Sequence, residues 1–138
     1  MRSRAFDSAL FWGLFFGSLC IVAVVMPAAA ATPENFSAKT TADYIALCQA
    51  GEDQANHVAA IHFCEGFASG AFQYYVEVSE RSPDERFVCL PDPPPSRNDA
   101  LNAFVAWTKA NPDSLTASPV DSIFRFLART YPCAGAAK

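Results

Sequence analysis

The apolar positions divide the chain into one unbroken run and four shorter segments of helical spacing. The run extends from Ala9 to Met26, with Arg2 and Arg4 ahead of it and Pro27 and the alanines Ala28–Ala31 behind it. A basic start, an apolar stretch and small residues after a helix breaker are the three parts of an export leader. Residues 1–31 are therefore expected to be a signal peptide, cleaved after Ala31. The run also reaches the lower limit for a membrane span, so an uncleaved anchor is the alternative. Under either reading Arg2 and Arg4 hold the N-terminus inside and place the remaining chain outside the cytoplasm. The expected location is periplasmic, or secreted through the Sec pathway. Cys20 does not fit a lipoprotein cysteine, because Leu19 is too large for the preceding position and the apolar run continues past it. Gly13 and Gly17 form a lone GxxxG pair, weak ground for helix dimerisation.

Beyond the leader, residues 32–39 are polar and expected to fray. A first helix is predicted from Thr41 to Ala50, capped by Thr40 or Thr41 with Asp43 in its first turn and Gly51 at its end. Its apolar face is Tyr44, Leu47 and Cys48. A long second helix is predicted from Gln54 to Ser79, closed by Ser82-Pro83. Its apolar residues fall on two sides: Val58, Ile61, Phe72, Tyr75 and Val76 on one, Phe63, Phe67, Ala71, Tyr74 and Val78 nearly opposite. Such a helix is either central in the fold or shares one face with a partner, here a homodimer through the Phe63–Phe67 side. Gly66 and Gly70, four apart, would let another element cross closely.

Residues 81–95 carry no regular pattern; Phe87–Pro91 looks extended, and Pro93–Pro95 forms a stiff spacer. A third helix starts at the Ser96 cap, with Asp99 three residues on, and stops at Asn111-Pro112. Leu101, Phe104, Val105 and Thr108 face inward, with Trp107 at the edge. A fourth opens on Ser118, Pro119 and Asp121, turns Val120, Ile123, Phe124 and Leu127 inward, and ends at Tyr131-Pro132. No strand pattern or internal repeat is visible. The predicted fold is all-α: residues 32–138 form a small bundle of about four to five helices behind a cleavable leader.

Composition narrows the function classes. Residues 32–138 hold eight Lys and Arg against thirteen Asp and Glu, net −5, with no basic cluster. That excludes the electrostatic footprint of a nucleic-acid binder. Cys48, Cys64, Cys89 and Cys133 remain once Cys20 is set aside, and four cysteines in a short exported chain imply two disulfides in one of three connectivities. Spacings of 16, 25 and 44 residues, without a CxxC pair, do not resemble a zinc knuckle. Helices one and two form a hairpin, so Cys48 should bridge to Cys64, and Cys89 on the connector to Cys133. Because Cys48 lies one turn from the Gly51 bend and Cys64 lies further along its own helix, this pairing requires the second helix to start late, near His57, or the hairpin to be skewed.

Catalytic chemistry is not assembled by spacing. Gly66–Gly70 places its serine fourth rather than third and lies within a helix, unlike a nucleophile elbow. His57 and His62 are five apart and do not share a helical face as a zinc-binding pair would. His57 is expected to be solvated and His62 to border the core; Glu65, on the Val58 side of the second helix, is expected to be an exposed carboxylate, with a buried acid the alternative. Asn35-Phe36-Ser37 is a glycosylation sequon, relevant only in a eukaryotic secretory pathway. The expectation is a non-enzyme with no cofactor and no metal.

The segments Thr41–Tyr44, Leu47-Cys48, Cys64-Glu65-Gly66-Phe67, Gly70, Phe87–Pro91, Ala110-Asn111-Pro112 and Thr130–Cys133 follow a familiar order. Over nearly all of residues 40–134 it resembles the Rap/Tai family of immunity proteins associated with type VI secretion. That resemblance implies a periplasmic, all-α, often dimeric domain, which occludes the active-site cleft of a peptidoglycan amidase effector without catalysis of its own. The matching positions are structural: the four cysteines, Gly66, Gly70, Pro91 and Pro132. No effector-contacting residue is carried over; the connector Ser82–Pro95 is a candidate contact loop on the general tendency of loops to carry recognition. A periplasmic helical protein of another role, such as an acid-stress holdase or a general binding module, is the alternative class.

Overall fold

In the computed structural model, residues 30–134 are described; the apolar run, Arg2, Arg4, Cys20 and residues 135–138 lie outside the described residues. Four helices follow in order: α1 (Thr41–Cys48), α2 (His57–Arg81), α3 (Arg97–Ala110) and α4 (Pro119–Thr130). Short 3-10 turns at Pro33–Ser37, Pro83–Glu85 and Pro112–Thr116 join or precede them. No strand occurs among the described residues, only a single antiparallel bridge between Val88 and Pro132. The all-α class and the four helices are as the periodicity predicts.

The helix starts follow from side-chain caps. Thr40 accepts the amide of Asp43, and the Asp43 carboxylate in turn accepts the Thr40 amide and hydroxyl. These bonds to Thr40, and one from Asn35, hold the Asp43 carboxyl below its usual range. Ser96 and Ser118 cap α3 and α4 in the same way, each accepting the amide three residues on. The Asn35 contact to Asp43 also corrects one expectation: residues 33–37 form a 3-10 turn tied to α1 instead of a frayed tail.

Three helix boundaries differ from the pattern, one of them the end of α2, which reaches Arg81 rather than Ser79. The first helix stops at Cys48 rather than Ala50, and the second begins at His57 rather than Gln54. The intervening residues turn instead, and His57 Nδ1 lies 2.9 Å from the Ala50 carbonyl oxygen, which no helix partner occupies. The late start brings Cys64 within two turns of the bend, as a bridge to Cys48 requires.

Tyr44 and Phe104 lie at the centre of the main core with Cys64, Val88, Ile123, Phe126 and Leu127. A smaller cluster joins Ala31, Leu47, Ala50 and Ala60, covered by Phe36 and Phe63. On α4 the buried positions are Pro119, Ser122, Ile123, Phe126 and Leu127, while Val120 is exposed. That stripe keeps helical spacing but contains a serine, so ranking by apolarity shifts the inner face by one residue. Ser122 is satisfied there: it donates to the Ser114 carbonyl at 3.1 Å and lies 2.8 Å from the Thr41 hydroxyl.

Helix α2 contacts each of the other three helices, and Ala60, Cys64 and Ser79 are its buried positions. Phe67 packs on Tyr44 and Phe63 on Phe36, so this end of the second apolar face is used within the chain. Gly66 and Gly70 do not mark a close crossing. A Cβ at either would meet nothing within 4 Å, and both are exposed. Val58, assigned to an inner face, is exposed as well.

Candidate functional site

The cysteines divide the molecule into two joined regions. Cys48 and Cys64 couple α1 to α2, with sulfurs 2.10 Å and Cα atoms 5.2 Å apart. Cys89 and Cys133 couple the connector to the residues after α4, at 2.02 Å and 4.8 Å. The first pair lies against the core, Cys64 being buried, whereas Cys89 is exposed.

The connector is held at its middle and open on both sides. The Tyr75 hydroxyl oxygen accepts the amides of Phe87 at 3.0 Å and Val88 at 2.8 Å. Beyond it, the Cys89 amide donates to the Tyr131 carbonyl and the Cys133 amide to the Phe87 carbonyl. Val88 is thereby buried, and Phe87 packs against Tyr75 and Phe124. Residues 83–86 on one side and 91–94 on the other are exposed. The fixed middle was not visible in the apolar spacing, because its anchor is a side-chain hydroxyl from α2.

The end of α2 adjoining the connector carries an unusual surface. Tyr74 is 74 % exposed and Val78 39 %, one turn apart on the same helix face. Glu77, Glu80, Asp84 and Glu85 are exposed around this end, with Arg81 and Arg86 among them. Arg81 lies 3.8 Å from Glu77 with both side chains largely exposed, a weak surface pair. The result is an apolar face edged by acids.

Between α2, the connector, α3 and α4 lies an apolar cleft of about 320 Å³, lined by Ala68, Phe72, Leu90, Pro94, Leu101 and Ile123 among others. Arg97 at its edge is paired to Glu65 at 3.0 Å. Glu65 is thus a partly buried ion-pair partner, closer to the alternative of a buried acid than to the expected exposed carboxylate. His57 is half-buried and His62 exposed, the reverse of the expectation for each. Among the described residues, no group of three or more His, Cys, Asp or Glu is arranged to hold a metal. No helix among them is long and apolar enough to cross a membrane.

A family model described as Rap1a immunity proteins matches residues 40–133, a span containing both cysteine pairs and all four α-helices. No curated protein and no solved structure matches the chain.

Proposed function

Since the chain belongs to the Rap1a immunity protein family and so serves as an immunity protein against a secreted effector, we propose that this effector is a peptidoglycan amidase of type VI secretion, neutralised in the periplasm. The family match over residues 40–133 carries this reading. The leader pattern of residues 1–31 supports the compartment, and the four cysteines suit oxidising surroundings. Inhibition needs no chemistry from the immunity protein. A rigid surface that fills the amidase cleft excludes the peptide substrate, and binding energy alone sets the protection.

The contact face we assign is the end of α2 together with the open parts of the connector Ser82–Pro95. It combines exposed Tyr74 and Val78, suited to burial at the centre of an interface, with a surround of acids that favours a basic cleft rim. The connector is stiffened by prolines and fixed at Val88, which reduces the ordering cost of binding. The test pairs the purified protein with the cell-wall hydrolase encoded beside it. Nanomolar binding and loss of cross-link cleavage in isolated peptidoglycan are expected. If the neighbouring gene encodes no such hydrolase and no amidase is inhibited, the amidase assignment is wrong.

A further inference from the structure

The four alanines of the leader leave its processing point ambiguous. Small residues at the first and third positions before the cut are met by Ala28 and Ala30 and equally by Ala29 and Ala31. The fold distinguishes the two. Ala30 is exposed, whereas the next residue, Ala31, is only 8 % exposed and packs in one cluster with Leu47, Ala50 and Ala60. Both backbone polar atoms of Ala31 are bound by side chains of the α1–α2 loop. Its amide donates to Gln54 Oε1 at 2.9 Å, and its carbonyl accepts from Asn56 Nδ2 at 3.0 Å. Gln54 and Asn56 lie inside the loop closed by Cys48 and Cys64. Thr32 follows immediately and begins the 3-10 turn tied to α1.

The geometry points to Ala31 as the first residue of the mature protein, released by cleavage between Ala30 and Ala31, with Gln54 and Asn56 as the socket that holds the new terminus. This inference rests on the export reading. It replaces the expected cut after Ala31, which would discard a buried methyl and leave both amide side chains without these partners. Hydrolysis of the Ala30–Ala31 amide consumes one water and yields the Ala30 carboxylate and the Ala31 ammonium. One ammonium proton takes over the bond to Gln54 Oε1, now charge-assisted and stronger than the amide bond it replaces. The remaining two point along the exit that Ala30 occupies, where solvent is available, so the charge is not stranded in the core. Small size is required at position 31 by the socket, where the Ala31 methyl packs with Leu47, Ala50 and Ala60. The socket fits a small unbranched residue whose nitrogen donates to Gln54, as an N-terminal alanine would.

The test uses the full chain expressed with its own leader and recovered from the periplasmic fraction. Intact mass and N-terminal sequencing are expected to show a start at Ala31. A start at Thr32 would overturn the assignment while leaving export intact. A start at Ala30 or earlier, or a membrane-retained uncleaved chain, would overturn the cut site. A full-length chain confined to the cytoplasm would remove the export reading along with it. The socket is read separately, by amine-selective labelling at neutral pH followed by peptide mass analysis. The Ala31 amine should react roughly tenfold more slowly than in the Gln54→Ala chain, the weight of one hydrogen bond to a charged group. Lys39 and Lys109, both exposed, serve as internal references for reagent dose, and an unchanged thermal unfolding midpoint shows that the variant remains folded. Equal labelling of Ala31 in both chains would reject the socket.

Discussion

Tyr44 concentrates several of the forces that hold this domain together. Its side chain is fully buried, its ring packs on Phe67 and Phe104, and its hydroxyl donates to the Cys64 carbonyl at 2.7 Å. Burial pushes the phenol well above its ordinary value, partly offset by the Ala68 backbone. A group whose pKa is raised by folding gives its stabilisation in full below the unfolded value. It loses that contribution as pH climbs from about 10 toward the folded value. Tyr44→Phe keeps the ring and removes both the bond and the titration. At neutral pH it should cost about 1 kcal/mol, since the carbonyl it abandons is also available to the helix ladder. Above about pH 10 the deficit should shrink, because only the parent chain then has a buried phenol under pressure to ionise. Denaturant unfolding at pH 7 and pH 11 checks this, and a deficit that stays constant would contradict the assignment.

At the scale of elements, the two cysteine bridges constrain different things. Closing 16 residues should contribute about 3 kcal/mol and closing 44 about 4 kcal/mol by restricting the unfolded chain. Against a net stability of roughly 5–10 kcal/mol, Cys89→Ser should therefore lower the unfolding free energy severely. Local order should nevertheless persist at the connector, because Tyr75 still holds the amides of Phe87 and Val88. Amide exchange would then show Val88 protected in a chain of much lower denaturant midpoint. A midpoint unchanged between oxidising and reducing conditions would refute the staple. The helices were legible in the chain because Thr40, Ser96 and Ser118 each sit at a capping position, while Asn111-Pro112 and Tyr131-Pro132 forbid continuation. What was not legible depended on polar side chains acting over distance. Ser122 conceals the α4 stripe, Tyr75 fixes a connector without periodicity, and Gln54 with Asn56 gathers in a residue assigned to the leader. The two-sided apolar pattern of α2 was equally real, but it could not divide the faces. The structure places Phe63 and Phe67 against the chain's own Phe36 and Tyr44, and leaves Tyr74 and Val78 outside.

Over the whole molecule, this division of α2 separates the scaffold from the face proposed to meet the effector. The first half is locked by Ala60, Cys64 and Phe67 and the second by Phe72, Tyr75 and buried Ser79, so Tyr74 and Val78 stand on the outer side of a held helix. An immunity protein benefits from that arrangement, since a preformed face loses little entropy when it docks. The two kinds of side chain at that end should then act on different rates. Tyr74 has the size and exposure of a central anchor, so Tyr74→Ala should weaken effector binding about thirtyfold, chiefly through faster dissociation. Glu80 and Asp84 lie exposed near the same end and would steer a basic cleft. Glu80→Lys with Asp84→Lys should slow association and flatten its salt dependence, with little change in dissociation. All three positions are exposed, so thermal unfolding should stay near that of the parent chain. Binding kinetics at two salt concentrations separates the two effects. If neither variant alters affinity while unfolding is unchanged, the effector is held elsewhere, and the apolar cleft bordered by Phe72 and Leu90 becomes the next face to probe.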